Sequence, residues 1–385
     1  MTGTANSRTS KAPPSSTRGV TGQLLMRLTH PAPTPQPRTH RRLAGRAAVA
    51  ALLLIFAAIP FASFHIPVIL PGPTDIVNSV GTLDVLGLCF VFAAVALSYD
   101  ILLGFTGLLS FGHALYFAVG AYTFDIALTQ WNLAVLPALA VTAGVSLFLA
   151  IVLGVVSLRV NGIAFSMITL AFAQAVYYVI QDNPGNLTGG ATGLVLSTTH
   201  LPSLLVGVSN TRYLYWLTLA FLVVIFALTW LLTESAMGRV WVAIRENEQR
   251  VEVLGLRPLQ FKLASIVASS LIATAGGVVY LLFVGAAAPD AVASTTVTVS
   301  LLVMVILGGV GRRSGAVVGA IVYVYLQQYL LKIAAEPSFA SLPGPLRVPL
   351  SQPSFLLGAI FIVFVLFAPG GIIGLVDRVR LARAR

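Results

Sequence analysis

The chain has 385 residues, of which 57% are hydrophobic and only 9% are Asp, Glu, Lys or Arg. Soluble globular domains carry about 25% charged residues, and a chain with a mean hydropathy of +0.92 has too little polar surface to face water. The formal net charge of +11 does not mark a nucleic-acid binder, because the basic residues sit in the tails and in alternate loops, with no nucleic-acid motif beside them.

In chain order, residues 1–42 are rich in Ser, Thr and Pro and contain no Asp or Glu. They read as a disordered basic cytosolic tail. The segment is too long and Pro-rich for the start of a signal peptide, so the apolar run after it is expected to be retained as a span. A helix crosses the bilayer core with roughly 20 apolar residues. Stretches of that kind fall near 44–64, 83–103, 107–128, 133–158, 162–181, 213–233, 263–285, 297–311, 314–333 and 354–370. The expected fold is therefore all-α and polytopic, with about ten spans and eight to eleven compatible. The eighth stretch is short and is expected to be broken or partly re-entrant. The single cysteine, Cys89, lies in a span, which rules out an intrachain disulfide or a multi-cysteine metal site.

With the N-terminus inside, the loops predicted inside hold Arg159, then Arg239, Arg245, Arg250, Arg257 and Lys262, then Arg312 and Arg313. Those predicted outside hold only Arg212, Lys332 and Arg347. One orientation satisfies the positive-inside rule and the other violates it. A transmembrane domain over 43–371 is expected, with a cytosolic loop at 233–262, an external loop at 182–212 and a basic cytosolic tail at 372–385.

The stretch from Leu103 to Tyr122 has glycines at 104, 107, 112 and 120. They permit close backbone approach, and also a broken helix whose free N–H groups face a polar substrate. His113 lies within it. An intramembrane ionisable residue is a functional candidate by default, and the other reading is a neutral histidine tying down the broken backbone. Thr106 and Ser110 divide between helix–helix hydrogen bonding and substrate contact. The pathway candidates are Thr106, Gly107, Ser110, Gly112, His113 and Thr169. Asp100 and Asp125 fall near span ends, and Asp290 in an outer turn. Outside, Thr188, Gly189, Gly190 and Gly193 form a polar, Gly-rich loop segment, and 334–353 is a second external segment; either suits an external partner.

The loop Thr233–Lys262 has Val240, Ala243, Ile244, Asn247, Val251 and Leu254 at helical spacing. The other face carries Arg245, Glu246, Gln249 and Glu252, with Glu246 and Arg250 at the favourable i,i+4 spacing. Gly255 stands where a C-terminal cap belongs and Pro258 follows. This predicts one amphipathic helix of about four turns. Its mixed-charge face fits a protein partner better than a membrane surface, which favours Lys/Arg-rich faces. Further on, Gly308, Gly309 and Gly311 suggest a sharp hairpin, and Gly315-xxx-Gly319 is a weak helix-packing signal. There is no G-x-x-x-x-G-K-[ST], no G-x-S-x-G, no H-E-x-x-H and no metal-ligand cluster in the sequence. No catalytic residue is expected. The periodic acids of many proton-coupled carriers are missing too, which leaves the inner helix as the route for energy. A stand-alone secondary carrier is the competing reading.

Five stretches, in order, are LSYDILLGFTGLLSFGHALYFAVGAY (97–122), LRVNGIAFSMITLAFAQ (158–174), LTGGATGL (187–194), MGRVWVAIRENEQRVEVLGL (237–256) and ILGGVGRRSGAVVGA (306–320). Together they resemble the permease subunits of the hydrophobic amino acid uptake ABC transporters, of the LivM type. The resemblance implies an ABC importer permease in a bacterial plasma membrane, multi-pass, with both termini cytosolic. It implies a second homologous permease, two ATP-binding subunits and an external substrate-binding protein as partners. Leucine, isoleucine and valine are the implied substrates, ATP and Mg are held by the partners, and no cofactor by this chain. The 237–256 loop is similar to the family's ATPase-coupling motif, so Arg239, Arg245, Glu246, Asn247, Glu248, Glu252 and Gly255 inherit that role. Asp100 and Thr192 stand where the family usually has Asn, and the Arg312-Arg313 pair and the basic tail are unusual. Urea and short-amide permeases share most of these motifs and form the alternative.

Overall fold

Apolar stretches of this length, in a medium without water, leave backbone groups no partner but each other, so helices follow. In the computed structural model, residues 56–61, 79–196, 210–334, 352–368, 370–375 and 378 are described. The 1–42 tail, most of the predicted first span and nearly all of 334–353 lie outside them.

The helices are α1 (Val80–Asp100), α2 (His113–Thr129), α3 (Val135–Ser157), α4 (Ile163–Asp182) and α5 (Thr211–Glu234). Then come the short α6 (Ala236–Glu246) and α7 (Glu248–Val253), followed by α8 (Pro258–Val284). α9 (Pro289–Val292), α10 (Thr295–Gly308), α11 (Arg313–Ala334) and α12 (Pro353–Phe367) complete the series. Strands β1 (Leu194–Val195) and β2 (Ala286–Ala287) pair antiparallel. Among the described residues, eight helices are long and apolar enough to cross a membrane. α2, with 17 residues, falls just short of that length.

Four expectations need correction. The 107–128 span is not helical throughout, because residues 107–112 form an irregular segment and the helix begins at His113. The span near 263–285 begins earlier, at Pro258, whose missing N–H and fixed φ suit a first helical position. Lys262 is therefore a buried helix residue rather than a loop one. The eighth span starts earlier than the expected 297–311, with the short α9 before α10 and the break at Ala293–Ser294, outside the predicted stretch. The inner amphipathic helix is also two helices, since Asn247 adopts extended backbone (φ −162, ψ 103) and its side chain caps the N–H of Arg250. Splitting there puts Glu246 and Arg250 on different helices, so the expected i,i+4 ion pair does not form; among the described residues the ion pairs are Lys262–Glu248 and Arg313–Glu234.

α1 is the axis of the bundle. Its residues from Cys89 to Ile101 are almost all inaccessible, enclosed by α5, α8, α10 and α11. α8 packs on α1, α2 and α3. The α2–α8 contact is close because a Cβ on Gly120 would overlap the Thr274 carbonyl, and one on Gly277 the Phe117 carbonyl. Phe92, Phe117 and Tyr280 fill the remaining space between α1, α2 and α8, with centroids 5.3–6.1 Å apart. The outermost helices are α3 and α12. They turn large apolar residues such as Leu136, Phe148, Ile362 and Phe367 outward, the inverse of a soluble fold and the arrangement lipid requires. α3 buries only its small stripe of Ala138, Thr142, Ser146, Ala150, Gly154 and Ser157.

Candidate functional site

The site starts where α1 loses its regular ladder. Ile101–Thr106 form a turn of π-helix, which ends at Gly107 in the left-handed region (φ 79). π-turns inside helices are frequent at functional sites. The Thr106 hydroxyl donates to the Ile101 carbonyl at 2.9 Å, and the chain leaves the helix as the segment 107–112.

Irregular backbone at this position needs partners from elsewhere, and neighbouring helices supply them. Ser166 on α4 donates to the Leu109 carbonyl (2.6 Å), Tyr99 on α1 donates to the Ser110 carbonyl (3.0 Å), and the Phe111 N–H donates to Thr169 on α4 (3.1 Å). The Gly112 N–H donates to the Ser110 hydroxyl oxygen (3.2 Å), and the Ala114 N–H to Thr298 on α10 (2.9 Å). His113 opens α2, fully buried, with Nε2 2.8 Å from the Ser98 hydroxyl and its ring edge-on to Tyr99. Ser98 gives its proton to the Val95 carbonyl at 2.7 Å, so the bond to His113 is best assigned as donated by Nε2–H. His113 is thus tied to the backbone break.

Beside the segment lies a narrow cavity of about 20 Å³, room for about one water molecule, open at its mouth. Its apolar walls are Leu102, Leu115, Leu153, Phe165, Phe172 and Ile266. Its polar lining comes from Ser110, Ser157 and Thr169, with Gly112 at the start of α2. Leu158, Leu108, Val160 and Leu263 pack against the same apolar walls at the end nearer the 233–262 loop. No charged side chain lines the cavity. Of the six pathway candidates, Ser110, Gly112 and Thr169 meet there. Thr106, Gly107 and His113 do not reach it. Ser157, Phe165 and Phe172 were missed, although the four-residue spacing of small residues along α3 was a legible sign of a buried face.

The second part is the 233–262 loop. Ser235 caps α6, and its buried stripe is Gly238, Trp241 and Ile244; of the apolar residues the periodicity gave, Ile244 and, on α7, Val251 are buried. Trp241 is inaccessible and donates to the Phe261 carbonyl at 2.8 Å; Ala243 and Leu254 are exposed. Glu248, at the start of α7, binds the buried Lys262 ammonium at 2.6 Å. α7 ends in a Schellman turn, with the Gly255 N–H bonded to the Glu252 carbonyl and the Leu256 N–H to the Val251 carbonyl. Beyond it Val253 and Leu254 are 87% and 73% exposed. Arg239 donates to the Glu234 carbonyl at 3.1 Å.

Arg245 turns inward. Its guanidinium donates to the Gly104 carbonyl in the π-turn, and its stem lies over Gly107. Asp100 accepts from the Gly311 N–H at 2.8 Å. A Cβ on Gly104 would overlap Asp100 Oδ1 and the Gly311 nitrogen. The π-turn, α6 and the α10–α11 hairpin therefore meet at one Cβ-free node. Arg313 braces the same end by pairing with Glu234 at 2.8 Å and donating to Thr233.

At the opposite end the Gly-rich loop is built on Asn183. Its side-chain oxygen accepts from the Thr188 N–H (2.8 Å) and the Gly189 N–H (3.0 Å). Gly193 fits against Ala287 only for lack of a Cβ, at the β1–β2 pairing. Thr192, in the place of the expected Asn, donates to the Gly189 carbonyl at 2.8 Å. Tyr122 donates to the Ala287 carbonyl at 2.8 Å, locking this cap to α2.

A bundle of membrane-length helices, with a broken helix beside an uncharged cavity and an exposed helix pair at one end, defines a multi-pass membrane protein of the transport-permease class. The family described as branched-chain amino acid transport system / permease component matches residues 81–365, and the chain belongs to it. It is 26% identical over 289 residues to the high-affinity branched-chain amino acid transport system permease protein LivM of Escherichia coli (strain K12), covering 69% of this chain and 67% of that protein. The LivM protein of Salmonella typhimurium is similar to the same degree, 26% over 288 residues. A probable branched-chain amino acid transport permease protein LivM of Methanocaldococcus jannaschii is 27% identical over 216 residues, 53% of this chain and 58% of that protein. No solved structure matches.

Proposed function

We propose that the chain is one transmembrane subunit of an ATP-driven importer of branched-chain amino acids in a bacterial plasma membrane. In this reading both termini are cytosolic, and a second homologous permease, two ATP-binding subunits and an external substrate-binding protein complete the assembly. ATP and Mg belong to the ATP-binding subunits, since this sequence has no P-loop. This subunit is itself non-catalytic.

The observation that carries the reading is the α6–α7 pair. It presents exposed Glu246, Glu252, Val253 and Leu254 outward while Arg245, Trp241 and Glu248 fix it to the bundle. A subunit without its own ATPase needs such a rigid, externally addressable lever. Arg239, Asn247 and Gly255 shape the lever rather than contact the partner. Thr188, Gly189, Gly190 and Gly193 form the cap on the binding-protein side.

The test is reconstitution. Proteoliposomes holding the full assembly import leucine only with ATP and the binding protein present. Uptake by this chain alone, driven by a gradient without ATP, would show a secondary carrier instead. Import of urea but not leucine would move the substrate to the amide class.

A further inference from the structure

We infer that the seam between α4 and the α9–α10 pair is the route by which the amino acid enters from outside, closed in this structure by a latch of Tyr177 on Asp290. The inference rests on the importer reading above, with α4 ending on the outer side, and adds the surfaces that part.

Three observations support it. First, α4 carries a polar stripe along its length. At about 100° per residue, Ser166, Thr169, Gln174, Tyr177 and Gln181 fall within an arc of about 140°. At the inner end Ser166 and Thr169 hold the break at 107–112 through Leu109 and Phe111. Further out Gln174 donates to Thr295 on α10, and Tyr177 donates to Asp290 on α9 at 2.6 Å. Gln181 in turn donates to the Tyr177 hydroxyl oxygen at 2.6 Å. The stripe leads from the outer end of α4 to the break. A zwitterion needs such groups along its way, because its charged ends would have no partners between walls of hydrocarbon.

Second, the seam is built to part. Of the twenty residues of α4, only Phe165, Ser166, Thr169, Ala173 and Ile180 are buried. α4 and α9 contain no glycine, and α10 has only Gly308 at its inner end, so the close backbone approach that fixes α2 on α8 has no counterpart here. The side-chain hydrogen bonds across the seam are individually weak between membrane helices. Gln174 lies about 12 Å inside the outer end of α4. A polar side chain at that depth is costly unless it is partnered, and an apolar one would make the firmer static contact. The Tyr177–Asp290 bond is exposed, so water or cargo can compete for it.

Third, the Gly-rich cap is joined to both walls. On one side Thr188 donates to the Ile180 carbonyl of α4 at 2.7 Å, and Asn183 at the end of α4 holds the Thr188 and Gly189 N–H groups. On the other, β1 of the cap pairs with β2, which leads through Ala288 into α9. Tyr122 ties β2 to α2, so that wall belongs to the bundle, and α4 is the wall that moves. A binding protein seated on the cap bears on both walls at once.

The test uses the complete importer in proteoliposomes, with ATP on the ATPase side and the binding protein on the other. Tyr177→Cys and Asp290→Cys are combined and bridged by a short, reducible thiol cross-linker. The native Cys89 is buried, and the parent assembly given the same reagent is the control. Bridging should slow leucine uptake by about tenfold or more, and reductant should restore it. Complete bridging with uptake unchanged would overturn the inference. A second arm needs neither latch residue nor bridge. Gln174→Cys is exposed from outside to a membrane-impermeant maleimide, and labelling of this chain should quicken about tenfold when ATP, binding protein and leucine drive turnover. A labelling rate that turnover does not change means that the seam stays shut, and it overturns the inference even if the double variant fails to assemble. If the parent assembly imports no hydrophobic amino acid, the importer reading falls and takes this one with it.

Discussion

Arg245 carries two demands at once. Its position on the polar face of the 237–256 stretch suggested a group that meets a partner, yet its guanidinium reaches back to the Gly104 carbonyl. A hydrogen bond from a charged donor is worth about 1.5–3 kcal/mol when buried; this one, part exposed, is worth less, so its value is directional rather than stabilising. Arg245→Ala should leave the ATP-binding subunits bound and their basal hydrolysis intact, while leucine uptake drops by about tenfold or more. Normal uptake per ATP hydrolysed would remove Arg245 from the transmission route. The Lys262–Glu248 pair is unequal, with side chains 8% and 37% exposed. Removing the acid strands a buried ammonium, and removing the base leaves a carboxylate that water can reach. Glu248→Ala should therefore lower the melting temperature in detergent more than Lys262→Met does. The reverse order would show that Lys262 is solvated. Asn183→Ala removes the acceptor for two N–H groups of the Gly-rich cap and should cost about 1–3 kcal/mol locally. The expected sign is faster proteolysis within 184–196, and unchanged cleavage there would mean the cap holds without it.

Helices behaved as their sequences implied wherever lipid or close packing set the rule. The α2–α8 contact is the clearest case. Gly120 and Gly277 each face a carbonyl of the other helix, and Thr274 adds a hydrogen bond to the Tyr116 carbonyl. Gly277→Val should overpack this contact by about 1–3 kcal/mol or more, seen as a lower melting temperature of the purified chain; an unaltered value would mean the helices can slide apart freely. The paired interface at α10–α11 has the same character. Gly315 and Gly319 bring the helix onto Met304 and Gly308, so the weak Gly-xxx-Gly signal is used as packing. The inner loop is where local reading failed. Apolar periodicity ran on through Asn247, but an Asn that can cap the next turn competes with the helix for its own backbone. Trp241 was passed over because its burial depends on the Phe261 carbonyl, a residue beyond the loop's own helix.

For the whole molecule, low charge and long apolar runs determined membrane residence, the all-helical fold and most span positions without help from any fold. The reason is that a lipid solvent forces each segment to satisfy its own backbone, so local sequence suffices. The Gly, Ser and His of 104–113 also announced an irregular stretch. Only the tertiary structure decided which of these residues meet. It separated His113, tied to Ser98, from Ser110 and Thr169 at the cavity. It brought in Ser157 and Phe172 from distant helices, and it turned Arg245 from an outward contact into a link between α6 and the break in α1. Such pairings join residues up to about two hundred positions apart, such as Asp100 with Gly311. Helical periodicity carries no information about which face of one helix opposes another; side-chain shape and the missing Cβ atoms at the crossings supply it.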